Sequence, residues 1–515
     1  MTTLPGRFPG GLELEGHKSL ANQCPIRFAG LPPRLLFPLR QRNGENARAL
    51  VSIGDLVRRG SVIAGGNQPL DPPIHASSSG RVIAIEDHGM AHPAGISSRC
   101  IIIETDGLDE SIAALPALDT THCSPESLLD RLHEAGIVGL GGAGFPTAAK
   151  LLKGKTAIDT LILNGAECEP YIACDDRLLR ERADEVLQGA ALLQRCLGCR
   201  TTLIAVEGDM RLAWQALKAA QSAGDFDFIQ IIQVPSRYPA GGERQLIQLL
   251  TGREVPSGAL PAAIGVICQN VATVAAIYRA AAHGEILDSR IVTVTGAGVQ
   301  TPQNLEVRLG TPIGFLIEQC GGYTGQAHGL IVGGPMMGYT VNSDAIPVTK
   351  PVNAILVTGA KSPATIPDPQ PCIRCGACAE ACPASLLPQQ LYWHTHAQQL
   401  QRALDYHLLD CIECGCCDAV CPSHIPLVHE FRQAKQASLS QQRARDSAAH
   451  ARMRFEARQA RKEQEQRDRE LAAQRRKASL GGHASPKIQE ALERARQKRA
   501  KQNESLASET THNDP

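Results

Sequence analysis

Aromatic residues are scarce in this sequence: Phe, Tyr and Trp make up 3% of 515 residues, with only two tryptophans. Long apolar runs are missing too. A membrane-spanning helix needs roughly 18 consecutive apolar residues. The nearest stretch, Ala262 to Ala282, is interrupted by Gln269, Asn270, Thr273 and Arg279, and reads as a buried loop and helix. The opening MTTLPGRFPG has neither a basic start nor an apolar core, so no secretory signal is expected. Net charge is absent, with 52 Lys+Arg against 52 Asp+Glu, but the balance is uneven along the chain. From Phe431 to Pro515 there are 20 basic and 11 acidic residues, which leaves 32 against 41 for the rest. A basic tail therefore follows an acidic body. The tail is rich in Ala, Gln, Arg, Lys and Glu, without a sustained heptad seam, and is expected to be exposed helix fading into disorder. Its charge suits anionic lipid headgroups or an acidic partner, and a solvated tail with no specific partner is the simplest reading. Too few aromatic residues interleave its basic ones for nucleic acid to be expected as a partner.

Two residue types are plentiful: 47 glycines and 18 cysteines. The cysteine spacing, not the count, is informative. Cys372, Cys375, Cys378 and Cys382 form C-x2-C-x2-C-x3-C-P, and Cys411, Cys414, Cys417 and Cys421 repeat it. This is the bacterial ferredoxin run for a [4Fe–4S] cluster, whose fourth cysteine reaches the other cluster in two-cluster proteins. Cys372, Cys375, Cys378 and Cys421 are assigned to one cluster, and Cys382, Cys411, Cys414 and Cys417 to the second. Gly376 and Gly415 let the backbone bend around the inorganic core, and Pro383 and Pro422 stop each loop. Zinc bound by the CxxC pairs is the alternative. Cys416 is out of register and reads as a packed thiol. Cys196 and Cys199 form a lone CxxC that suits packing better than redox chemistry. Reduced thiolates argue for a cytosolic setting over a disulfide framework.

The segment GIVGLGGAGFPTAAK, Gly136 to Lys150, leaves its backbone bare at Gly139, Gly141, Gly142 and Gly144. A bare loop entering a helix points N–H groups at a phosphate. It is neither a Walker A loop nor a clean G-x-G-x-x-G, and alone it is a weak signal. TLILN then reads as a buried strand ending at Asn164, with Glu167, Glu169, Asp175 and Asp176 crowding its carboxyl end, where α/β sheets bind ligands. SRYPAGGERQ and VICQNVAT follow, with Gly241, Gly242 and Glu243 entering one helix and Asn270 and Thr273 at the start of another.

In this order the four segments resemble the flavin-bearing, NADH-oxidising subunit of respiratory complex I. The resemblance implies FMN with NADH as substrate. It carries the loop role to Gly139, Gly141, Gly142, Gly144, Phe145 and Lys150. It carries the second motif to Asn164, Glu167, Glu169 and Pro170, the third to Tyr238, Gly241 and Glu243, and the fourth to Asn270 and Thr273. Glu169 and Glu243 are then expected to shape the pocket, Phe145 to pack on a ring and Lys150 to pair with phosphate. Three positions depart: Leu140 stands for an Arg, Ala166 for an Asp and Gly242 for a Glu. No side chain is expected to act as a catalytic nucleophile.

Leu50 to Glu86 alternates short apolar runs with turns and resembles a biotinyl/lipoyl-type barrel-sandwich domain. The carrier lysine is missing, and the turn expected to be exposed reads HASSSG, so a structural or docking module is inferred. His75 within it is expected to be simply hydrogen-bonded. The segment from Ile291 suggests a soluble-ligand-binding β-grasp unit, and Met336 and Met337 read as packing. Taken whole, residues 1–430 resemble the C subunit of the Rnf-type ion-translocating electron transport complex.

The expected fold is multidomain α/β. Residues 1–110 form a barrel-sandwich domain, 111–285 a complex I flavoprotein-like core and 286–345 a β-grasp domain. Residues 346–430 form a two-[4Fe–4S] ferredoxin-like domain and 431–515 the tail. The implied function is a translocase/oxidoreductase subunit, peripheral on the cytoplasmic side of the cell inner membrane. It passes electrons between NAD(H) and ferredoxin or another redox carrier, while integral membrane partners move protons or sodium ions. Two rivals remain open: a stand-alone soluble NADH-linked oxidoreductase, and an electron-wiring scaffold whose nucleotide site has decayed.

Overall fold

The computed structural model describes residues 4–40, 47–65, 71–152, 157–359, 368–481 and 486–509. Contacts divide the chain into a body up to Lys435 and a segment from Gln436 onward.

At the centre of the body lies a parallel sheet in the order Ile229–Val234, Thr201–Glu207, Thr160–Gly165 and Val266–Asn270. Helices cover both faces, so its strands read as continuous apolar runs. Leu161 and Leu163 pack with Ile204 and Val206 against one helical layer. Ile162, Leu203 and Ala205 face the other layer, built on Glu243–Thr251. This alternation explains TLILN: two-residue periodicity puts successive side chains into two different cores. Ala262 to Ala282 is a short 3-10 turn, the Val266–Asn270 strand and the Val271–Ala282 helix, so the expected loop is a sheet strand.

The barrel-sandwich segment forms a four-stranded sheet, Arg34–Pro38, Ser97–Thr105, Gly80–Gly89 and Leu56–Val57, with a three-stranded partner. Leu35, Phe37, Ile63, Val82, Ile101 and Ile103 fill its core. The HASSSG turn is not exposed: Ser77, Ser78 and Ser79 are buried. The Ser77 hydroxyl donates to the Leu309 carbonyl at 2.5 Å, and Ser79 donates to Asp106 at 2.6 Å. The turn is plugged against the β-grasp unit, where a carrier lysine would have no room. His75 is buried with it; its ring is hydrogen-bonded to the Glu134 backbone, as expected, while Nδ1 has no partner among the described residues.

A six-stranded sheet makes the β-grasp unit. Two of its strands come from outside 286–345. Ala354–Gly359 pairs with Ser289–Thr295, and Arg27–Phe28 pairs with Gln303–Arg308. The N-terminal residues that lead there form a strap that the sequence did not announce. Gly6 donates to Leu249 O, Gly11 to Ala381 O, and Leu12 bridges Tyr238. The strap thus touches the core, the first cysteine ladder and the β-grasp sheet in turn.

Between Pro371 and Ile425 the two ladders repeat one backbone. Arg374 and Glu413 both have φ 58°, Gly376 and Gly415 have φ 82° and 78°, and Ser385 and His424 have φ 51° and 52°. From Leu427 the chain is helical to Gly481, then again from Pro486 to Glu509. This is the exposed helix expected there, and the fade into disorder expected at its end falls on residues 510–515, outside the described residues. Good helix formers and i,i+4 pairs such as Arg452–Glu456 and Glu463–Arg467 carry the helix through, although its described side chains beyond Ser440 are all exposed.

Candidate functional site

The parallel sheet delivers most of the nucleotide-site candidates to one edge. Asn164 is the penultimate residue of the Thr160–Gly165 strand, Asn270 ends Val266–Asn270, and Tyr238, Gly241 and Glu243 follow the Ile229–Val234 strand. The Asn164 amide donates to Gly241 O at 2.8 Å, and its Oδ1 accepts from Ala166 N at 3.1 Å. A Cβ on Gly241 would lie 2.1 Å from Ala166 O, so backbone contact fixes glycine there. Asn270 caps the Val271–Ala282 helix, and Thr273 accepts from Leu140 N at 2.9 Å. This hydroxyl ties the glycine loop to the helix.

The loop itself is open. Gly141, Gly142 and Ala143 are exposed, and a Cβ on Gly142 would meet no atom within 4 Å. Lys150 and Glu243 close the edge with a 2.7 Å ion pair. Phe145, five residues before Lys150, is half-buried, and Gly144 before it is buried. Bare backbone, an amide and a lysine along one sheet edge fit a phosphate-bearing flavin. The departures are accommodated: Leu140 and Ala166 are buried core residues, and Gly242 precedes the helix that Glu243 begins.

Two carboxylates face elsewhere. Glu167 accepts from the backbone N–H groups of Asp175 at 3.0 Å and Asp176 at 3.1 Å, and so caps the Cys174–Glu181 helix. Burial, then the Asp175 charge, pushes it up to about 7. Burial pushes Asp175 up to about 6, against the hydrogen bond from Asn270. Glu167, Cys174 and Asp175 bring donor atoms within 4.8 Å of one another, but the Glu167 oxygens are already committed to the helix. Glu169 accepts from Met336 N at 2.7 Å and Met337 N at 3.0 Å, and anchors the β-grasp loop. Sequence reasoning missed Lys18, which is held between the Glu167 carbonyl and Glu207 Oε2. Its isolated position on an irregular strap gave no signal.

The ladders lie against this edge. One cavity is lined by Cys382, Cys411, Cys414 and Cys417 together, three thiols of the second ladder and the last of the first. Cys372, Cys378 and Cys421 pack in the same hydrophobic cluster around Leu391, Leu408 and Phe431, while Cys375 is exposed. The doubled C-x2-C-x2-C-x3-C-P donor set, with Cys382 beside Cys411, Cys414 and Cys417, fits a pair of four-iron cubes. Cys416 is fully buried beside Tyr238 and Cys414, and Cys196 and Cys199 are buried in the core.

The two sites touch. Tyr238 Oη donates to Cys414 O at 2.5 Å, and Gln245 donates to Pro383 O at 3.2 Å. Glu413 between Arg432 and Lys435 pins the far side of the second ladder. Among the described residues no helix is long and apolar enough to cross a membrane.

Comparison with known families places four domains on this chain. The Nuo51 FMN-binding domain matches residues 132–279 and the RnfC barrel sandwich hybrid domain residues 6–108. The SLBB domain matches residues 291–340 and the 4Fe-4S dicluster domain residues 371–425. The C subunit of an ion-translocating oxidoreductase complex from Pectobacterium atrosepticum is 45% identical over 491 residues, 95% of this chain and 70% of that protein. The proteins of the same name from Citrobacter koseri and Edwardsiella ictaluri are 42% and 43% identical. They cover 96% and 97% of this chain, which spans 70% and 62% of theirs. A solved NAD+-reducing [NiFe]-hydrogenase aligns at 20% identity and a TM-score of 0.46, over 63% of this chain and 65% of that one. With its FMN-binding and dicluster domains and this identity along nearly its whole length, the chain belongs to the family of C subunits of ion-translocating oxidoreductase complexes.

Proposed function

We propose that this chain is the peripheral electron-transfer subunit of such a complex. It connects NAD(H) at the glycine-loop edge to ferredoxin or another one-electron carrier through its cysteine ladders. A flavin supplies the exchange between paired and single electrons that nicotinamide and iron–sulfur clusters require. Gly139, Gly141, Gly142 and Gly144 would leave room for it, Lys150 and Glu243 would close the edge, and Asn164 and Asn270 would hold the surrounding loops. Cys382, Cys411, Cys414 and Cys417 would ligate the inner cluster. Cys372, Cys375, Cys378 and Cys421 would ligate the outer one.

One observation carries the reading. Tyr238 leaves the nucleotide-edge loop and donates its hydroxyl hydrogen to the carbonyl of Cys414. That contact joins the two candidate cofactor sites without intervening solvent. Integral membrane partners and a cytoplasmic-side position at the inner membrane belong to the same proposal, with ion movement assigned to those partners. The test is anaerobic purification with iron, sulfide and FMN quantified. About eight irons per chain with bound FMN supports the reading. Iron without flavin returns it to the wiring scaffold, and full turnover on a small substrate without membranes returns it to a stand-alone enzyme.

A further inference from the structure

The helix Leu427–Gly481 carries its excess charge on one side. Between Arg443 and Lys477 there are 12 basic and six acidic residues. At 3.6 residues per turn, seven of the basic ones fall within about 100° of one another around the axis. They are Arg443, Arg454, Arg458, Arg461, Lys462, Arg469 and Arg476, and Glu465 is the one acidic residue among them. The rest of the circumference holds five basic and five acidic residues, so it is neutral.

The neutral side compensates itself. Asp446 accepts from Gln442 at 2.8 Å, Asp468 from Gln464 at 3.2 Å and Glu470 from Gln466 at 3.4 Å. Glu456 pairs with Arg452 at 2.8 Å and Glu463 with Arg467 at 3.5 Å. Every acidic residue there has a partner one turn away on the helix surface. The second helix, Pro486–Glu509, repeats the sorting. Its Lys487, Arg494, Lys498 and Lys501 stand at i, i+7, i+11 and i+14, and so share one side. A tail that only keeps a chain soluble needs net charge, not charge gathered onto one face.

We infer that the basic strip is a docking surface for an anionic lipid bilayer, held at headgroup depth by charge. From Arg443 to Arg476 it runs for about 50 Å along the helix. A flat sheet of headgroups meets such a strip along its whole length, whereas the phosphates of a duplex wind away from it. Met453, Phe455 and Leu471 lie outside the strip, so it offers no apolar wedge and no ring for a base to stack on. The body supplies the reason for a separate contact. Outside residues 431–515 the chain has 32 basic and 41 acidic residues, which an anionic surface repels. Each Lys or Arg brought to that surface strengthens binding roughly fivefold. The choice of surface rests on the membrane position proposed above. Binding itself is read without NADH, flavin or partner subunits, so either reading can fail alone.

The test is flotation of the full-length, anaerobically purified chain with two kinds of vesicle. One is phosphatidylcholine alone, and the other has one part in three of phosphatidylglycerol. Binding is expected to the mixed vesicles only, and should be lost as salt is raised. Arg454→Gln, Arg458→Gln and Arg461→Gln together should weaken it about a hundredfold. A matched variant, Arg445→Gln with Arg452→Gln and Arg467→Gln, removes the same charge from the neutral side and should weaken it less than about tenfold. Glutamine keeps helix propensity, which circular dichroism of both variants checks. No binding of the unmodified chain, equal binding to both vesicles, or equal loss in the two variants overturns the inference. So does tighter binding to a DNA duplex than to the mixed vesicles in the same salt.

Discussion

The two cysteine ladders share one spacing and one backbone, yet their surroundings differ. In the second ladder Cys414 and Cys417 are buried, and Tyr238, Met336, Arg432 and Lys435 hold the loop from several sides. In the first ladder Cys375 is exposed; Arg374 lies over Trp393 and Ser423 donates to Pro371 O, while the strap and the core reach only its last turn, through Gly11 to Ala381 O and Gln245 to Pro383 O. A motif therefore specifies the cofactor, while its neighbours assign its place. The second ladder meets the nucleotide edge through Tyr238, and Cys375 of the first is open to solvent.

The largest expected effect breaks this comparison at its ligands. Cys417→Ser should lower iron to about half and remove the NADH-dependent paramagnetic signal of the outer set as well. Cys375→Ser should lower iron similarly but leave the inner set reducible by NADH. Equal behaviour of the two variants would abolish the distinction. Next comes the nucleotide edge. Glu243→Gln leaves Lys150 without its ion-pair partner and should slow NADH-dependent flavin bleaching roughly 10- to 100-fold, with iron content unchanged.

Smaller still, Tyr238→Phe removes one hydrogen bond to Cys414 O. It should cost about 1 kcal/mol of stability and slow NADH reduction of the ladders several-fold while flavin bleaching keeps its rate. Freeze-quench spectra against stopped-flow absorbance would separate the two. The smallest effect lies away from both ladders. Lys350 is buried and donates to Pro73 O and Gly136 O, with no carboxylate partner among the described residues, and burial lowers it to about 7. The unfolded chain holds that proton more tightly, so wild-type stability should rise with pH from about 7 toward 10.5. Lys350→Met should lose this slope, at most about 1.4 kcal/mol per pH unit, and leave iron content unchanged. Melting temperatures at pH 7 and 9 check it.

What the sequence made legible follows from how local each signal is. The ladders can be read directly, because a cluster's ligands sit within a few residues of one another. TLILN could be read because burial on both faces leaves an unbroken apolar run. Glu169 could not be placed, since nothing local tells a pocket carboxylate from one that accepts Met336 and Met337 N–H groups 167 residues away. The HASSSG turn looked exposed because its serines are polar, and only the β-grasp carbonyl at Leu309 explains their burial. Lys18 and the N-terminal strap escaped for the same reason.

The most direct measurement of the central claim is an anaerobic NADH titration of the intact chain, followed by flavin absorbance and low-temperature paramagnetic resonance. Flavin bleaching accompanied by a cluster signal at substoichiometric NADH is the predicted result. Clusters that dithionite reduces but NADH leaves untouched would contradict it.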